Sequence, residues 1–255
     1  MPALQFDCWE SPDHAQVAAA IAANPFLVAF QGYVPGWGAP DGGGWTAAGA
    51  LAVMAQGLGY LPLLVPAGAN PASTPRDAAG WDQAVQFADH HVRSAGGVLT
   101  VCGLDVEAGW SASYPAGWKA AAFAFALACE RAGVASAVYG SPSFLSSLIG
   151  SAAPSIAYPG EWPNGASAPS PMPTSPDSIP GIPASAWTNP GQRIWQIQGG
   201  HRVAGFPYDV DLSITSSAVP YCHLVAQTPD PKPATPTTLA PGTYTLPTGA
   251  TITIN

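Results

Sequence analysis

Short runs rich in β-branched and aromatic residues alternate along this chain with alanine-rich runs of helical character. Strands are predicted at Leu4–Trp9, Phe26–Tyr33, Tyr60–Ala67, Val98–Glu107, Val134–Tyr139, Ser155–Tyr158, Arg193–Gln198 and Pro207–Leu212. Between them, Ser11-Pro12, Thr74-Pro75 and Ser141-Pro142 each pair a capping hydroxyl with a proline at the first helical position, where the missing N–H costs nothing. Lys119 to Ala132 is a strong helix-forming run that stops at Gly133. Eight strands with helices between most of them predict an α/β fold, a parallel (β/α)₈ TIM-like barrel, with a doubly wound sheet second.

The pattern weakens after the sixth strand. Gly160 to Ser185 holds seven prolines and no helical period, so an irregular proline-rich crossover is expected there. The barrel is expected to fill residues 1–227. Residues 228–238 (TPDPKPATPTT) read as a stiff Pro/Thr-rich linker. Residues 239–255 read as a short C-terminal β-hairpin, with Thr243–Leu246 and Thr251–Ile254 as its strands, either packed back on the barrel or acting as a docking arm.

Composition narrows the function classes. Of 255 residues, 47% are hydrophobic and only 9% charged, yet 9 Trp, 8 Tyr and 8 Phe argue for a packed core rather than disorder. The net charge of −8 (15 acidic against 7 basic residues) with no basic cluster argues against nucleic acid as a partner. No apolar run is long enough for a membrane span, and Met1–Asp7 lacks the layout of a signal peptide. Action outside the cell would then need another route.

Candidate chemistry collects at strand ends. In Leu104-Asp105-Val106-Glu107, the two acids lie two apart on a strand and so share a face, which in a barrel is the interior at the active-site mouth. Paired carboxylates of this kind raise each other's pKa, so one can serve as a general acid while the other stays ionised. Asp7 on strand one and Asp209 and Asp211 on strand eight would approach them across the mouth, with no Lys or Arg to balance them. With no His among the acids, zinc is not expected and neither is any cofactor; a hard cation such as Ca²⁺ is the one metal left open. Aromatic residues at or just after strand ends, Trp9, Tyr33, Trp37, Trp45, Trp110, Tyr139, Tyr158, Trp162 and Trp195, suit the apolar faces of sugar rings, about half of them being ordinary core.

Remaining motifs are read as structural. His90-His91 is expected on the surface late in a helix, and Gly199-Gly200-His201-Arg202 in a loop facing the mouth. Cys8, Cys102, Cys129 and Cys222 show no metal spacing. Strand parity predicts buried thiols, with Cys102 beside Cys129 and Cys8 beside Cys222.

The order of Asp7, Asp105-x-Glu107, Trp195-Gln196 and Asp211-Leu212 resembles the glycoside hydrolase family 25 lysozymes. It is more similar still to the glycoside-hydrolase-like group called domain of unknown function 1906, found in actinobacteria and their phages. The resemblance covers roughly residues 4–226. It implies cleavage of the β-1,4 bond after N-acetylmuramic acid in peptidoglycan, with Glu107 as general acid and Asp105 its partner. Asp7 and Asp211 would orient or polarise the site. Asp209, Trp9, Tyr33, Trp37, Trp110, Tyr139, Trp195 and Gln196 would contact substrate. The chain departs from that pattern at Asp209, which is extra, at Ser213, where the family often has Asn, and in the proline-rich crossover. The resemblance points to a phage product, a lysin or a virion component, binding peptidoglycan and touching no nucleic acid or membrane. A rival reading is a non-catalytic glycan-binding or structural virion protein anchored by residues 228–255, and a third is a host wall-remodelling protein exported by a non-classical route.

Overall fold

Period-two alternation is realised as a ring of strands. The computed structural model describes residues 3–35, 44–64, 78–106, 115–148, 154–160, 175–176, 192–225, 242–245 and 251–254. Two compact units emerge, Met1–Leu224 and Val225–Asn255. In the first, β1 (Ala3–Asp7), β2 (Leu27–Tyr33), β3 (Gly59–Leu64), β5 (Val101–Val106), β6 (Ala135–Gly140), β7 (Ile156–Pro159), β8 (Ile194–Arg202) and β9 (Asp209–Thr215) form one sheet in the order β7-β6-β5-β3-β2-β1-β9-β8. A parallel bridge between Ala157 and Arg193 joins its two edges, so the sheet is a nearly closed barrel. Short β4 (Gly97–Val98) pairs separately with β10 (His223–Leu224), which splits the fourth predicted strand in two.

The architecture is the expected TIM-like α/β barrel, with one strand reversed. β9 runs antiparallel to both β1 and β8, whereas the pairs from β1 through β7 are parallel. The reason is the connection. Residues 203–208 separate β8 from β9, and a parallel crossover needs a dozen or more. A strand that starts at the mouth carries its first residues there. Asp209 and Asp211 therefore reach the same rim as the C-terminal ends of the parallel strands.

Helices α1 (His14–Ala23), α2 (Ala47–Met54), α3 (Ala78–Ser94), α4 (Pro115–Arg131) and α5 (Pro142–Ser146) accompany the strands. The Ser141-Pro142 start is as predicted, with the Phe144 N–H donating to Ser141 Oγ at 3.2 Å. The Ser11-Pro12 start is corrected. Asp13 caps α1 in a reciprocal box with Gln16, two bonds of 2.8 Å, which a lone serine could not match. The start at Thr74-Pro75 lies outside the described residues, as does most of the proline-rich crossover. Gly133 takes φ +71° just past α4, as a helix-ending glycine does.

Two outer-layer contacts revise the sequence reading. Trp45 is fully buried on the outer side of the barrel, stacked on Tyr60 with centroids 5.2 Å apart, and its indole N–H donates to the Cys8 carbonyl at 2.8 Å. It is core, not mouth. His91 is buried too, 3.2 Å from the Tyr60 hydroxyl, because α3 lays that face on β3 instead of on solvent.

Glycine is required where Trp45 packs. A Cβ on Gly32 would lie 2.1 Å from the Trp45 ring. Gly32→Ala is expected to lower unfolding free energy by about 2 kcal/mol, the scale of overpacking a rigid core, as read by urea denaturation.

All four cysteines are buried and free. Cys129 lies beside Cys102, as parity predicts. The Cys8–Cys222 neighbourhood is not found. After β9 the chain turns beneath the barrel and pairs Cys222 with Tyr60 of β3, its thiol 3.5 Å from the Val101 carbonyl.

In the second unit, β11 (Gly242–Thr245) and β12 (Thr251–Ile254) pair antiparallel. The linker 228–238 lies outside the described residues.

Candidate active site

Inward-facing positions of β1, β2 and β9 carry polar side chains where a barrel of this kind ordinarily holds branched apolar ones. Asp7 is the register partner of Gln31 on one side and of Asp211 on the other, so two carboxylates stand side by side at the rim. Gln31 Nε2 donates to Asp7 Oδ2 at 2.6 Å. Asp211 accepts from Gln196 Nε2 at 2.6 Å and from the Gly200 N–H at 2.8 Å. Tyr139 donates to Gln196 Oε1 in turn. Since Tyr139 is the register partner of buried Asp105, the contacts run round the rim from β6 through β8 to β9.

Gly200 is part of this device. It lies in β8, not in a loop after it, where the register with β9 slips between Gln198 and His201. Its φ of +68° suits glycine alone and turns the N–H onto Asp211. Burial, the largest cause, raises the Asp211 pKa; its two donors pull it back, and Asp209 pushes it up further.

A cleft of about 520 Å³ opens above these groups, lined by Asp7, Trp9, Tyr33, Gly200, Asp209 and Asp211. Trp9 and Tyr33 form its aromatic wall, with ring centroids 4.5 Å apart, and Trp9 is 37% exposed. Hard acceptors beside a flat apolar face are what a sugar ring requires: C–H faces to stack and hydroxyls to donate. Asp209 is not an unbalanced acid, because Arg202, its register partner on β8, forms an ion pair with it at the exposed rim. Among the described residues, no three metal-ligating side chains converge.

The structure thus brings Asp7, Asp209, Asp211, Trp9 and Tyr33 to one cleft and ties Tyr139 and Gln196 to its rim. Trp195 does not join them. Gln196 faces inward, so Trp195 points to the outer face, opposite Ile214, where it is buried. Glu107, Trp37, Trp110 and Trp162 lie outside the described residues. Sequence reasoning missed Gln5 and Gln31, both fully buried inside the barrel. A polar residue at every second position of β1 (Gln5, Asp7), in step with the acid, was the available signal.

No protein-family model matches the chain, and no curated protein matches it significantly. Solved structures do. An uncharacterized protein of B. stearothermophilus aligns with TM-score 0.59 at 15% identity, over 84% of this chain and 96% of its own. The Tat-secreted protein Rv2525c of Mycobacterium tuberculosis, in complex with L-tartrate, gives 0.56 at 15%, over 86% and 97%. GHIP of Streptococcus pneumoniae, a virulence factor described as a glycosyl hydrolase 25, gives 0.52 at 13%, over 84% and 87%. What is shared is the fold. At these identities it is the TIM-like α/β barrel that is shared, and fold alone does not carry function.

Proposed function

We propose that this chain is a glycoside hydrolase of the lysozyme kind that cleaves β-1,4 bonds of bacterial peptidoglycan. The observation that carries the reading is the adjacency of Asp7 and Asp211 at the barrel rim, under a cleft walled by Trp9 and Tyr33. In this mechanism Glu107 protonates the leaving sugar oxygen. Asp105, two residues earlier in the sequence, steers the 2-acetamido group or positions water. Asp7 and Asp211 supply negative charge near the oxocarbenium-like transition state, which gains from it. Trp9 and Tyr33 stack a sugar ring, and Tyr139 with Gln196 holds Asp211 in place. The glycosyl hydrolase 25 among the structural neighbours supports the hydrolase class, and the Tat-secreted one supports action outside the cytoplasm. In the fuller form of the reading, the protein is phage-encoded, released at lysis or built into the virion.

Reducing-end release from purified peptidoglycan tests the activity. Within that assay Trp9→Ala is expected to raise KM roughly three- to tenfold, the scale of one lost aromatic contact, with kcat nearly unchanged. A fall in kcat with unchanged KM would remove Trp9 from the binding wall.

A second reading, a non-catalytic glycan-binding or virion component, is favoured by the separate C-terminal unit with its paired strands. In that case truncation after Gln227 would abolish retention on a multi-protein particle and leave the barrel soluble. The enzyme reading predicts wall hydrolysis by the truncated chain.

A further inference from the structure

We propose that a row of buried amides, Gln5 and Gln31, anchored by Tyr221 at the barrel floor, sets the orientation and charge state of Asp7 at the mouth. All three are positioning residues. The inference deepens the hydrolase reading, and only its consequence for activity rests on that reading.

The direction of the row follows from its lower end. Tyr221 follows β9, and its hydroxyl lies 2.6 Å from Thr215 Oγ1 and 2.7 Å from Gln5 Oε1. An amide oxygen can only accept, so the phenol donates to Gln5. With its oxygen turned down, Gln5 presents Nε2 to the Tyr158 hydroxyl at 3.1 Å and to Gln31 Oε1 at 3.4 Å. Gln31 then has its own nitrogen facing Asp7 Oδ2, at 2.6 Å. Each amide passes its polarity upward. The top of the row is a donor aimed at a carboxylate.

Donation to the ionised form favours that form. A row turned the other way would set the Gln31 oxygen against Asp7, a contact that only a protonated carboxyl can make favourable. The polarity of the amides and the charge of Asp7 are therefore linked from floor to mouth. Among the described residues, the groups that share this space with Asp7 include Asp209 and Asp211 from β9, Tyr158 from β7, Tyr33 from β2 and the adjoining Cys8. Asp211 opposes ionisation of Asp7, which the Gln31 donor offsets.

The floor is built to admit the anchor. A Cβ on Gly59 would lie 2.4 Å from the Tyr221 side chain. Buried amides are costly in a barrel interior unless satisfied. Leucine at positions 5 and 31 would fill the space without that demand.

The test titrates Asp7 directly, in the full chain carrying ¹³C-labelled aspartate, with the Asp7 carboxyl resonance assigned by its loss in Asp7→Asn. Tyr221→Phe and Gln31→Leu are each expected to raise the Asp7 midpoint by about one pH unit. Tyr221 sits too low in the barrel to touch a glycan, so its effect on activity would appear as an upward move of the acid limb of kcat with KM unchanged. If Tyr221→Phe does not fold, Gln5→Leu carries the same test from the middle of the row. An unchanged Asp7 midpoint in the folded variants overturns the proposal. Shifted midpoints in a protein that releases no reducing ends would sink the hydrolase reading and leave this one standing.

Discussion

Glu107→Gln is expected to lower muropeptide release from purified peptidoglycan a hundredfold or more, with KM close to that of the wild type. Glutamine keeps the shape and hydrogen-bonding reach of the acid but cannot give up a proton to the leaving oxygen, and general acid catalysis is worth roughly 10²–10⁴ in rate. An interaction made only in the transition state is lost from kcat and kcat/KM alike. The expectation rests on Asp105. That side chain is buried at the end of β5, beside Tyr139, whose hydroxyl is engaged by Gln196. Glu107, two positions further along the sequence, is the acid to which the family resemblance assigns the proton transfer. A drop of less than about tenfold, too small for a general acid, would move that role to another carboxylate.

The second large effect concerns stability rather than turnover. Burial against Tyr60, with a smaller push from His90, lowers the His91 pKa to about 4. The unfolded chain, with its histidine near the ordinary 6.5, binds the extra proton between those values. Stability from the neutral ring is fully present above about pH 6.5 and declines as pH falls toward 4, by roughly 3 kcal/mol in total for this one residue. In His91→Gln, the amide can still meet the Tyr60 hydroxyl but does not titrate. Urea unfolding at pH 7 and pH 4.5 should show a smaller loss for the variant than for the wild type. Equal losses in both would mean that the ring is protonated in the folded protein.

Much of the barrel was legible because period-two alternation and strand propensity are local properties. The eight runs read from the chain are the eight strands of the barrel, and the parity of Asp7 and Asp105 placed their side chains inward. Strand direction is not in that pattern. Only the shortness of the connection between Gln198 and Pro207 carried the reversal of β9. Parity was also enough to separate Trp195 from Gln196, since neighbours on a strand cannot both face the mouth. Placing both there gave chemical type precedence over geometry.

The rest depended on partners distant in sequence. Gln5 and Gln31 look like ordinary polar strand positions until Tyr221, from the far end of the barrel, meets Gln5 across 216 residues. The burial of His91 depends on how α3 meets β3. Arg202 found Asp209 through a slipped register at Gly200, which no count of charges along the chain could reveal.

The most direct measurement is mass-spectrometric end-group analysis of purified bacterial peptidoglycan after incubation with the wild-type protein. The account predicts new reducing ends at N-acetylmuramic acid, accumulating with time and lost in Glu107→Gln. Wall binding without new ends in either protein would contradict it and leave a barrel that holds glycan without cutting it.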